Sequence, residues 1–189
     1  MNGNRAALTE PHDKLGQSMC KIHFSLLAAF LLCSLPVARS ADSEIDRATL
    51  KGLTGVFVLV EDLKPPEEAA GLKADDIKSD VEQKLRLAGI PLLDRTQIST
   101  TPGMPTLYVS VVVASNNTAG ELWPFNIDVD LEQRVTLERN SEIYVPTAVT
   151  WHVGGIGGVA KRDVPTIRER VKESIDRFVA AYLAVNPKK

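Results

Sequence analysis

Phe125-Asn126-Ile127-Asp128-Val129-Asp130-Leu131-Glu132-Gln133-Arg134-Val135-Thr136-Leu137-Glu138 alternates apolar and polar side chains, with Gln133 as the one break on the apolar side. Successive side chains of a strand point to opposite faces, so this pattern predicts a long strand with one buried and one wet face. Arg139 to Glu142 reads as a turn. Val145, Thr147, Val149, Trp151 and Val153 then supply the apolar side of a returning strand, which makes a long antiparallel hairpin.

Upstream, Val56 to Val60 is an unbroken apolar run and reads as a strand buried on both faces. Lys64 to Glu68 contains Pro65-Pro66 and reads as a loop. Ile77, Val81, Leu85 and Ala88 recur at helical spacing and predict a helix over 74–88, stapled by Leu72 and ended by Gly89. Ile90 to Leu93 is expected as a short strand, parallel to the first if the two share a sheet. Ser99 to Pro105 reads as a loop and Leu107 to Ala114 as a valine-rich strand. Downstream, Asp163 is expected to cap a final helix whose stripe is Ile167, Val171, Ile175, Phe178, Tyr182 and Val185. The expected fold is α+β, a two-layer sandwich in the order β-α-β-β-β-β-α. A mixed sheet of about five strands carries two helices on one face, because only the sheet offers an apolar surface for both helical stripes.

The chain has 189 residues, with 22 Lys and Arg against 24 Asp and Glu and a net charge of −2. That balance argues against a partner such as nucleic acid, whose binding draws on excess positive charge. Ile22 to Val37 is nearly uncharged, is preceded by Lys21, and leads to Pro36 and Ala38-Arg39-Ser40. This is the pattern of a cleaved export signal. Residues 19–40 are therefore expected to be the signal, with cleavage after Ser40. Residues 1–18 read as an untranslated or leader extension, Met19 being a natural start; a long leader or an uncleaved anchor is the alternative. Residues 41–51 read as a loose, partly helical arm and 52–187 as a single domain. Cys20 and Cys33 both fall in the signal, so no disulfide, thiol nucleophile or cysteine metal site is expected after cleavage, and no membrane span. Leu32 before Cys33 does not suit lipoprotein processing. The expected location is the periplasm or the medium.

Leu53-Thr54-Gly55-Val56, Val60-Glu61-Asp62-Leu63, Val81-Glu82 with Leu85-Arg86 and Ala88-Gly89-Ile90, and the closing Tyr182-Leu183-Ala184-Val185-Asn186-Pro187 resemble an uncharacterised family of small secreted bacterial proteins. The resemblance covers roughly residues 50 to 187 and implies a bacterial source and export. The order of elements is loosely similar to the amino-terminal domain of TolB, a likeness of fold only.

Gly155-Ile156-Gly157-Gly158-Val159-Ala160 matches a dinucleotide-binding glycine pattern, yet one helix follows it, with no second strand to carry the acidic partner. It reads as a close-packing turn, with anion binding at Gly155, Gly157 and Gly158 as the functional alternative. Asp128, Asp130, Glu132 and Arg134 share one strand face; with Trp123, in the cluster Leu122 to Phe125, they form the candidate binding surface. More often such a cluster plugs one end of the core, and that is the preferred reading of Trp123. His152 is expected on the polar side of its strand. No catalytic motif, metal cluster or cofactor site is evident. The leading expectation is a non-enzymatic domain that binds an envelope protein or another exported partner. The rival is a hydrolase-like site assembled from Glu61, Asp62, His152 and the glycine run. Asn116-Asn117-Thr118 is a glycosylation sequon, without meaning in a bacterial protein.

Overall fold

The computed structural model describes residues 42–114 and 122–187. The expected export signal, its expected cleavage site and the sequon lie outside the described residues. The elements are α1 (Glu44–Ala48), β1 (Phe57–Val60), α2 (Pro65–Ala69), α3 (Ala74–Ala88), α4 (Arg95–Thr100), β2 (Thr106–Val113), β3 (Leu122–Leu137), β4 (Asn140–Ala160), a 3-10 helix (Lys161–Thr166) and α5 (Ile167–Val185). The fold is α+β, built on a mixed four-stranded sheet in the order β1-β2-β3-β4. β1 is parallel to β2, from Phe57 opposite Thr106 to Val60 opposite Val109. β2, β3 and β4 are antiparallel.

The expected fifth strand is reduced to one parallel bridge, Val56 to Leu92. Val56 N donates to the Pro91 carbonyl at 3.0 Å and Leu93 N to the Val56 carbonyl at 2.9 Å. The ladder stops there because Pro91 has no donor and Asp94 immediately caps α4, accepting from Thr96 N and Gln97 N. α4 takes up the start of the stretch expected as a loop from Ser99; its single buried residue, Ile98, leaves no helical stripe to read.

α3 runs as expected, with Ile77, Val81 and Leu85 buried and Gly89 left-handed at φ 77°. Such a C-cap needs a residue without a Cβ penalty. α5 buries Ile167, Val171, Ile175, Phe178 and Tyr182. Phe178 meets Trp151 edge-on, with ring centroids 5.2 Å apart. Asp163 does not cap this helix. It lies inside the preceding 3-10 turn, which buries Val164, and its carbonyl accepts from Thr166 Oγ1 at 2.6 Å.

The arm before residue 52 is anchored rather than loose. Ser43 and Asp46 form a reciprocal capping box on α1, and Leu50 is fully buried. Asp42 accepts from Trp151 Nε1 at 2.8 Å and pairs with Arg47 at 2.6 Å. Lys64 to Glu68, expected as a loop, contains most of α2. Prolines 65 and 66 occupy the first helical turn, where a missing N–H costs nothing.

The hairpin carries one correction. β3 alternates as read up to Leu131, with Trp123, Phe125, Ile127, Val129 and Leu131 buried, but beyond it the register shifts and Val135 and Leu137, expected on the buried face, are only half-buried. In β4, Trp151 lies opposite Leu131 but Val149 lies opposite Glu132, so Thr150 is an extra, bulged residue. Its hydroxyl donates to the Leu131 carbonyl at 3.2 Å and accepts from Gln133 Nε2 at 2.7 Å. The bulge reverses the alternation. Trp151 and Val153 are buried, whereas Val149 is 54% exposed and Thr147 is exposed too.

Candidate functional site on the uncovered sheet face and the β4 edge

The inward residues of β2 to β4 (Leu107, Val109 and Val111; Ile127, Val129 and Leu131; Trp151 and Val153) form one core with α3 and α5. The opposite sheet face carries Tyr108 and Ser110 of β2, Asn126, Asp128, Asp130 and Glu132 of β3, and His152 of β4. Glu61, one residue past β1, joins them.

Asp130 lies between Tyr108 on one neighbouring strand and His152 on the other. The His152 Nδ1 to Asp130 Oδ1 distance is 2.5 Å. A carboxylate can only accept, so Nδ1 donates. His152 Nε2 faces Asp128 Oδ1 at 4.0 Å. The two carboxylates thus address opposite ring nitrogens and do not converge on one point. Among the described residues no group of His, Cys, Asp and Glu is arranged to hold a metal ion. Gly154 makes this packing possible: a Cβ there would stand 2.6 Å from Asp128 Oδ1 and 2.8 Å from the Ile127 carbonyl.

The field on this face is negative. Burial and the nearby Asp130 charge push the Glu132 carboxyl above its ordinary range. Burial, a hydrogen bond to Glu61 and the surrounding carboxylates push the Tyr108 phenol up to about 12. Hydrogen bonds from Ser110 and Tyr108 hold the Glu61 carboxyl below its ordinary range. Arg134, expected in the same row, does not neutralise it. Its guanidinium stacks 5.6 Å from the Tyr144 ring centroid and contacts Met104 Sδ at 2.6 Å.

Three expectations are corrected. Trp123 is not part of the binding surface; it is buried on the helix side of β3, as the plug reading had it, with Lys161 Nζ 5.5 Å from its ring centroid. Gly155, Gly157 and Gly158 form no turn and no helix N-terminus. They are the end of β4, opposite Ile127, Phe125 and Pro124. The strand continues because Gly157 has no side chain where the Phe125 ring packs, 2.5 Å from the position of a Cβ. Glu61 and Asp62 do not meet His152 and the glycines, because β1 and β4 lie at opposite edges of the sheet. The separation is three strand spacings, roughly 14 Å.

Between the glycine stretch and α5 runs a groove of about 420 Å³, floored by Phe125 and Ile127 and walled by Arg170, Glu173, Ser174 and Arg177. It exists because nothing lies within 4 Å of where a Gly155 Cβ would be. Tyr108, Ser110 and Ile156 belong to this face and edge but were not among the expected site residues. The first two alternate with Leu107, Val109 and Val111, a signal of period two that was there to be found. Ile156 is 87% exposed although apolar, which no local pattern announces. Comparison with protein-family models and with curated proteins finds no match.

Proposed function

We propose that this chain is an exported bacterial binding domain rather than an enzyme, and that its working surface is the uncovered sheet face. The reading is carried by one observation: Glu61, Asp128, Asp130 and Glu132 share that face across β1 to β3, while Arg134 is turned toward Met104 and Tyr144. A concentrated negative field on a flat surface suits a positively charged protein of the envelope, since charge complementarity steers encounter and selects partners. Export rests on the Lys21 to Ser40 pattern. Among the described residues no helix is long and apolar enough to cross a membrane.

The test is crosslinking of the native exported protein in its own envelope, beside the triple variant Asp128→Lys, Asp130→Lys, Glu132→Lys, with circular dichroism on both. Loss of the crosslinked partners with an unchanged spectrum supports the reading. An unchanged partner set would refute it.

A further inference from the structure

The backbone polarity of β4 can be read from the ladder. The Pro124 carbonyl accepts from Ala114 N at 2.8 Å, so Pro124 and its alternates through Asp130 direct their backbone groups to β2. Phe125, Ile127 and Val129 then direct theirs to β4, where Gly157, Gly155 and Val153 answer them. Gly154, Ile156 and Gly158 are left with N–H and C=O turned away from the sheet, and these groups have no backbone partner among the described residues. Natural edges are blunted by charge, proline or bulges. From Val153 to Ala160 this edge has none of these.

The stretch Gly154-Gly155-Ile156-Gly157-Gly158 is also a palindrome about Ile156. We infer that it is a twofold pairing site for a second copy of this chain, β4 against β4 in antiparallel register about Ile156. In that register Gly154 meets Gly158 of the copy, Gly155 meets Gly157, and Ile156 meets its own counterpart. Each outward-facing residue exchanges both backbone bonds with its opposite, about six hydrogen bonds over the glycine stretch. The two Ile156 side chains, solvent-exposed in the single chain, cover each other on the uncovered face. On the other face no glycine side chain obstructs the approach, and the two grooves join beneath the α5 helices. On the α5 wall Arg170 is paired with Glu173 at 2.9 Å, so the wall is not a block of like charge that would repel a copy. The pairing closes on itself and consumes both β4 edges. The inference is independent of the acidic-face reading.

Sedimentation equilibrium of the purified exported protein tests it. The parent is expected to dimerise, and Ile156→Leu with it. Ile156→Lys and Ile156→Glu, which set like charges face to face, should each weaken the dimer at least about tenfold, and an equimolar mixture of the two should restore it. Ile156→Ser serves in place of any charged variant whose circular dichroism departs from the parent's. A parent that stays monomeric at about 200 μM would overturn the inference. So would a dimer that persists unchanged in the Lys, Glu or Ser variants, or a mixture that fails to pair.

Discussion

Glu67 Oε1 accepts the backbone N–H of Val113 at 3.2 Å, and Glu67 itself is 1% exposed. The pairing has a topological cause. β1 ends at Val60, opposite Val109, so the end of β2 has no strand on that side. A side chain from α2 supplies the acceptor the missing strand would have supplied. The other oxygen, Oε2, is buried without a hydrogen-bond partner among the described residues.

Replacing Glu67 therefore separates two effects. Glu67→Gln keeps an acceptor for Val113 N and should change stability by less than about 1 kcal/mol, whereas Glu67→Ala leaves a buried N–H unanswered and should cost about 1–3 kcal/mol. Urea unfolding of both variants measures the difference. Equal losses would show that the hydrogen bond to Val113 is not what Glu67 contributes.

The glycines of β4 are expected to differ among themselves. Gly157→Ala drives a methyl into the Phe125 ring and should cost about 1–3 kcal/mol. Gly155→Ala points into open space, so its effect should stay within about 0.5 kcal/mol. Thermal unfolding of the two variants side by side checks the contrast, and a larger loss at Gly155 would contradict the packing.

Asp42 links the arm to the core and makes stability depend on acid. The hydrogen bond from Arg47 outweighs burial and, with that from Trp151, holds the carboxyl below its ordinary value near 3.8. A carboxyl lowered on folding stabilises the folded state above its unfolded pKa, and that stabilisation disappears as pH falls through the folded value. Asp42→Asn should therefore be less stable than the parent at neutral pH, by about 1–3 kcal/mol. The gap should narrow below pH 3.8. Urea midpoints across the acid range report it; a gap independent of pH would assign the effect to shape instead of charge.

Phe178 is fully buried at the centre of the α5 stripe, against Trp151. Phe178→Ala should lower stability by about 3–5 kcal/mol, read from chemical unfolding. A loss under about 1 kcal/mol would mean that α5 does not depend on this contact.

The α+β class, the alternation of β3 and the stripes of α3 and α5 were legible from the residues alone. Each depends on a local period, two for a strand and 3.6 for a helix, that side-chain polarity displays directly. The polar face of the candidate site was legible for the same reason, through Asp128, Asp130 and Glu132. Trp123 is buried in phase with Phe125 and Ile127, so its place in the core follows from the same period. Three features were decided only by tertiary structure. The Thr150 bulge reversed the faces of β4, because one extra residue in a ladder is a property of the pair of strands. Glu67 was buried because β1 stops short, which its own surroundings in sequence do not record. The run Gly154 to Gly158 became an open strand edge, since glycine has no side chain to declare a face and its conformation is set by whatever packs beside it, here the Phe125 ring.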